Sequence, residues 1–252
     1  MKLNNETIKT QLSHRTVRTL KEDPVPNEMF DVLMEVAKRT PTSNGMQSMS
    51  IISVTDPKVR AEIVDVSTQK YLAKAPILLI FVVDSFRNYK IAQENDCHEE
   101  SAADMDRFIQ GFTDGCLAAQ NVVVAAESMG LGTNYFGSVL NDAKKLCEIL
   151  KLPKLVFPIV GLGIGFPNQE PNLKPRFDNE LRVFENEYKV FDHYMDKLND
   201  YDQEMSEYVD LRFPDKTLPP FSKQVVSKLV NPSERRQQIV QDIQDQGFDL
   251  KL

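Results

Sequence analysis

The stretch FTDGCLAAQNVVVAAESMGLG, residues 112–132, constrains this chain more than any other. Its apolar and small residues run nearly all round a helical wheel, so the pattern predicts a helix at the centre of the molecule, with Gly130 ending it. Such a helix needs apolar walls. APILLIFVV, residues 75–83, is apolar throughout and marks a fully buried strand reaching Asp84. VFPIVGLGIGFP, residues 156–167, marks another core strand.

The remaining pattern surrounds these segments. Residues 29–39 carry Phe30, Leu33, Met34 and Ala37 at helical spacing. RTPTSNGMQ, residues 39–47, is a polar loop, and MSIISVTD after it is a strand. Asp56 caps a helix that starts on Pro57 and turns Val59, Ile63 and Val66 inward. Residues 88–106 are polar, a helix or a surface excursion, and TNYFGSVL is a strand and turn. Asn141 is positioned to cap a short helix ending near Leu152. Tyr194, Leu198, Tyr201, Met205 and Tyr208 alternate spacings of four and three, a heptad-like seam usable within one chain or between two. Residues 210–221 are a proline-rich break, and a last helix begins after Ser233. Strands and helices alternate without regular βαβ units, which favours an α+β fold over a doubly wound sheet.

Composition narrows the function. The chain has 252 residues, a net charge of -7 and a pI near 5.1, so it lacks the basic surface that general nucleic-acid binding needs. No apolar run is long enough to span a membrane and no secretory leader opens the chain, so the expected location is the cytoplasm. Cys97, Cys116 and Cys147 are odd in number and lack metal-ligand spacing, which implies reduced, unpaired thiols. His14, His98 and His193 form no ligand-spaced pair, and CHEE at 97–100 is a solvated acidic face rather than a metal site. No serine stands in a nucleophile elbow. A chain without an evident acid, base or nucleophile is suited to an enzyme whose cofactor performs the difficult step.

Cations nevertheless gather at particular places. His14, Arg15 and Arg18 stand close together near the start, and a helical turn would put the arginines on one side. Lys174 and Arg176 follow the last core strand. Arginine grips phosphate with a planar fork and lysine adds a point charge, so together the clusters suit one phosphate monoester; singly, each is equally a solvated surface charge. GLGIGFP resembles a dinucleotide loop, but the prolines and polar residues after it open no helix to meet a phosphate. Its glycines serve close strand packing or the approach of a flat ligand. Thr40, Thr42, Ser43, Asn44 and Gln47 offer polar groups on a loop, and Gly137 in NYFGS lets backbone approach a ligand closely.

HRTVR, PTSNGMQ, QKYLAKAP, AAESMGLGTNYFGS, LPKLVFPIVGLGIGFP and LKPRF, in that order, resemble the nitroreductase family. The nearest likeness is to its oxygen-insensitive NADPH-dependent nitroreductase and flavin reductase branch. The resemblance implies an α+β homodimer with a central, mainly antiparallel sheet flanked by helices, an FMN-binding core over residues 1–190, and a C-terminal helical extension, 191–252, packing on the core or the partner subunit. It implies that His14, Arg15, Thr16 and Arg18 form the opening flavin motif and that Lys174 and Arg176 clamp its phosphate. Thr42, Ser43 and Gln69 would approach the flavin, some from the partner subunit. Tyr135, Phe136, Gly137 and Ser138 would pass the ring and offer backbone N–H groups, with Ser138 in place of a usual second glycine. The implied chemistry is hydride transfer from NADPH or NADH through flavin N5 to a nitroaromatic, quinone or flavin-type acceptor, with no side chain as an obligate catalytic base and no metal. The segment that commonly meets the 2′-phosphate of NADPH has Thr217 at the arginine position, with Arg212 and Lys216 nearby. A flavin-binding sensor or carrier with little turnover is the alternative, separated from the enzyme by assay of NAD(P)H oxidation.

Overall fold

The computed structural model describes residues 5–98 and 100–249. Two compact units make up the chain: residues up to Gln169 joined by those from Glu234 onward, and the intervening Glu170–Ser233. The first unit begins with α1 (Glu6–Leu12), α2 (Asn27–Lys38), β1 (Met49–Ser53), α3 (Pro57–Ser67) and β2 (Ile77–Asp84). It continues with α4 (Ser85–Gln93), α5 (Met105–Ser128), β3 (Gly132–Phe136), α6 (Ala143–Ile149) and β4 (Val156–Gly165). The second unit holds α7 (Asn199–Glu207) and α8 (Phe221–Val230), and the chain returns to the first with α9 (Ile239–Asp245).

A four-stranded sheet in the order β1-β2-β4-β3 forms the centre, with every neighbouring pair antiparallel. All eight residues of β2 are buried, because both faces of this inner strand are covered. Leu79, Phe81 and Val83 face α2 and α5, where Leu33, Phe108, Ala119, Val122 and Val123 meet them. Leu78, Ile80 and Val82 face the other way, toward Ile63 of α3, Val139 and Leu146 of α6. Each fully buried aliphatic or aromatic side chain of this kind contributes about 1.5–3 kcal/mol.

A bulge re-phases β4. Phe81 stands opposite Val160 while Val82 stands opposite Pro158, which leaves Ile159 as the extra residue. Phe157 and Ile159 therefore share the α5 face with Leu162 and Ile164. The irregularity also accommodates Pro158, which has no N–H to give to a ladder, in a strand with neighbours on both sides. Gly161 answers a steric need: a Cβ there would stand 2.1 Å from Cζ of Phe136. The glycines of GLGIGFP thus serve strand packing, in line with the first of the two uses expected of them.

Several elements differ from expectation. α5 starts at Met105, where Asp104 caps it by accepting the Arg107 N–H at 2.9 Å. It buries one face on the sheet but leaves Ile109 52% and Leu117 45% exposed, so in a single chain it is covered on one side rather than all round. α6 is capped by Asp142, which accepts from Lys145 N at 2.9 Å, and not by Asn141, which lies inside the preceding 3-10 turn Gly137–Asp142. The heptad-like seam condenses into a 3-10 turn, Met195–Lys197, and the short α7, with Met205 buried and Tyr208 already extended. α8 has no counterpart in the sequence reading; Asp202 of α7 accepts the Ser222 N–H in its first turn.

Within the second unit, Phe177, Tyr201 and Phe221 form a ring cluster with centroids 5.3–5.7 Å apart. The Arg182 guanidinium lies 4.3 Å from the Phe177 centroid. The returning tail of the first unit seals its core. Phe248 packs edge-on against Phe108 at 5.0 Å, and the Leu155 N–H donates to Gln246 O. Among the described residues no helix is long and apolar enough to cross a membrane, and no group of His, Cys, Asp and Glu is arranged to hold a metal. Glu99 of the acidic CHEE run lies outside the described residues.

Candidate functional site

The basic opening segment lies along the β3 edge of the sheet. Thr16 bridges Thr133, and the Val17 N–H donates to Thr133 O at 2.8 Å. Asn134 Nδ2 donates to Val17 O at 3.0 Å. Val17 buries with Leu20 and Ala75. Gly132 leaves the room this requires, since a Cβ there would stand 2.9 Å from Val17 Cβ. α1 ends at Leu12, so residues 14–19 follow an extended course and Arg15 and Arg18 do not share a helical face. His14 Nδ1 meets Glu127 Oε1 of α5 at 2.7 Å, and Thr133 Oγ1 donates to the same oxygen at 2.6 Å. One carboxylate therefore ties the segment and β3 to the central helix.

This anchoring leaves the arginines available. Neither Arg15 nor Arg18 forms an ion pair with a described carboxylate. Arg15 is half-buried, and its Nε is buried without a hydrogen-bond partner. An orphaned donor on a cation is costly unless an anion completes it. Gln69 opens the 3-10 turn Lys70–Lys74, which ends beside Ala75 of the Val17 cluster, and Lys74 pairs with Glu22 at 2.6 Å.

β3 delivers the next group of residues. Burial raises the Tyr135 phenol well above its usual range, with Cys116 and Glu127 adding to the shift, and its hydroxyl reaches Gln120 Oε1 at 3.4 Å. Phe136 is buried, its ring packed over Gly161. Gly137 is exposed, and Ser138 is half-buried with an Oγ that has no partner. His14, Thr16 and Val17 are thus held against β3 and Glu127, and β3 runs directly into residues 135–138.

Thr42 and Ser43 do not join them within the chain. Asp114, fully buried on α5, accepts the Ser43 N–H at 2.8 Å and the Ser48 N–H at 3.3 Å, and so fixes this loop. Asp114 and Glu127 are thirteen residues apart on one helix, which at 1.5 Å per residue is about 20 Å. Lys174 and Arg176 are exposed in the second unit, where Arg176 Nη1 donates to Lys174 O at 3.2 Å and to Pro175 O at 3.0 Å. Arg212 engages Asp210 through Nε and Nη2, the latter at 2.6 Å.

Sequence reasoning missed three residues of this region. Asp114 and Glu127 are the only acids in residues 112–128, and a carboxylate on a helix bound for the core must have donors waiting for it. That signal was present. Arg236, whose Nη2 donates to Gly137 O, had none beyond an arginine doublet.

Fold and site together define a class: an α+β sandwich of helices, antiparallel sheet and helices, with arginines free of ion pairs to any described carboxylate on the segment along the β3 edge. The sequence pattern of the nitroreductase family matches residues 12–166, and that of the nitroreductase family, C-terminal domain, matches residues 174–251. The chain belongs to the nitroreductase family. It is 32% identical over 245 residues to an NADPH-dependent oxidoreductase of Staphylococcus saprophyticus, covering 95% of this chain and 96% of that one. It is 33% identical over 227 residues to an FMN reductase (NADPH) of Bacillus subtilis, covering 88% and 91%. The solved structure of NADPH:FMN oxidoreductase from Vibrio harveyi, complexed with NAD+, superposes with a TM-score of 0.86 at 31% identity, covering 97% and 99%.

Proposed function

We propose that this chain is an FMN-dependent NAD(P)H oxidoreductase of the nitroreductase and flavin reductase type, working as a cytoplasmic homodimer on nitroaromatic, quinone or flavin-type acceptors. The observation that carries the reading is the buried Nε of Arg15, which has no hydrogen-bond partner among the described residues. The residues fit the cofactor. Arg15 and Arg18 would hold its phosphate with charge-assisted hydrogen bonds, and the family resemblance gives Lys174 and Arg176 a phosphate-binding role as well. His14 and Thr16 border that end. Gly137 and Ser138 would present backbone N–H groups to the ring.

When bound, FMN would supply the hydride-transfer chemistry between NAD(P)H and the acceptor that no side chain here offers. The protein's own work is positioning. Glu127 keeps His14 and β3 in place, and Asp114 holds the loop of Thr42 and Ser43. The separation of that loop from the arginines, about 20 Å along α5, supports a site completed by Thr42 and Ser43 of a second subunit. The open stripe of Ile109 and Leu117 on α5 supports the same dimer.

Titration of the flavin-stripped protein with FMN tests the reading. Arg15→Ala and Arg176→Ala should each weaken binding about 10–100-fold, the loss of one charged hydrogen-bonding group. Unchanged affinity in both variants refutes the phosphate assignment. Absence of NADH or NADPH oxidation in the presence of a quinone or nitrofuran refutes the enzyme and leaves a flavin carrier.

A further inference from the structure

The turn Glu234–Arg236 packs against the 3-10 turn Gly137–Asp142. Its arginines have different surroundings. Arg235 lines a cavity of about 380 Å³ together with Glu62, Asp65, Asp142 and Lys145. Arg236 pairs with no described carboxylate and donates Nη2 to the Gly137 carbonyl. At the place where a Cβ would stand on Gly137, the Arg236 guanidinium at 3.6 Å is the only described neighbour within 4 Å.

A trans peptide is planar, so the C=O of Gly137 and the N–H of Ser138 point in opposite directions. Whatever fixes the carbonyl fixes the amide. Gly137 opens a 3-10 turn and glycine has the widest backbone freedom of any residue, so a side-chain donor on its carbonyl adds to what the turn itself fixes. We propose that Arg236 is a positioning residue, which holds the Gly137 carbonyl so that the Ser138 N–H faces the flavin ring. The inference rests on the reading of residues 135–138 as the ring-side segment. It adds a residue from the far end of the chain that touches neither cofactor nor substrate in this role and acts through one carbonyl.

The test compares the full-length wild type with Arg236→Ala and Arg236→Lys. In flavin-free protein, deuterium exchange at the amides of residues 137–139 should be faster in the alanine variant and near wild type in the lysine variant. FMN affinity should fall about tenfold in Arg236→Ala, the loss of one charged hydrogen bond, and recover largely in Arg236→Lys. The visible absorption bands of bound flavin should shift in Arg236→Ala, since a donor to the ring has lost its aim. Wild-type exchange and wild-type affinity in Arg236→Ala would overturn the proposal. So would equal losses in both variants accompanied by a fall in melting temperature, which would mean Arg236 only braces the fold. If the wild type binds no FMN, the functional reading fails, while the exchange comparison still decides whether Arg236 holds this peptide.

Discussion

Removing the carboxylate of Asp114 should cost more stability than any surface change in this protein. The side chain is fully buried and accepts two backbone N–H groups, from Ser43 at 2.8 Å and from Ser48 at 3.3 Å. In Asp114→Ala both donors lose their acceptor. The shorter, charge-assisted bond is worth about 2–3 kcal/mol and the longer about 1 kcal/mol, so the expected loss is about 3–4 kcal/mol. Against a typical total of 5–15 kcal/mol this is large, and at about 2–4 °C per kcal/mol it lowers the melting temperature by about 10 °C. Asp114→Asn keeps one acceptor but turns an NH₂ toward the other donor, so it should lose about half as much. Urea unfolding at fixed protein concentration measures both. An alanine variant within 1 kcal/mol of wild type, or an asparagine variant as damaged as the alanine one, refutes the claim that two amide bonds are what the carboxylate supplies. If Thr42 and Ser43 serve a site, the asparagine variant should also lose FMN affinity while remaining folded at 25 °C.

Gly161→Ala forces a methyl into the Phe136 ring and should destabilise by about 1–3 kcal/mol. Adding Phe136→Leu should recover part of that loss in the same unfolding assay, and a strictly additive double variant would contradict the steric account. Burial pushes the Cys147 thiol from its ordinary range up to about 12, with Asp242 adding to the shift. The fold therefore favours the protonated form: its contribution is complete below about pH 9 and is lost as pH climbs toward 12. Wild type should lose more stability than Cys147→Ala between pH 8 and pH 10.5, and parallel pH curves would rule this out. At pH 8 exposed Cys97 should alkylate readily while Cys147 reacts only after unfolding, as peptide mass spectrometry can follow.

Much of the fold was legible in the sequence, because burial and capping are local signals. β2 and β4 announced themselves as apolar runs, and Asp56 with Pro57 marked the start of α3. α8 was hidden by Pro219 and Pro220, which advertise a break and then sit just ahead of a helix. Asn141 and Asp142 are both competent caps, and only the backbone decides between them. The open face of α5 could not be read from its own composition, because an apolar stripe looks the same whether the sheet or another surface covers it. At the candidate site, the cations were visible as charges and Asp114 and Glu127 were visible as anomalies. What the sequence did not carry was distance: that one helix holds residues 14–18 and 42–43 about 20 Å apart, and that Arg236 returns to Gly137 from a hundred residues downstream.

The tail that seals the core has a consequence for biosynthesis. Phe108 and Leu155 emerge from the ribosome long before Phe248 and Gln246, the residues that cover and pair with them. During translation the nascent sheet waits with an apolar wall uncovered, and cooperative closure is deferred until the final stretch is released. A polypeptide stalled or clipped ahead of Ile239 would remain a chaperone client, whereas Glu170–Ser233, a unit to itself, can collect its aromatic cluster while the ribosome is still at work.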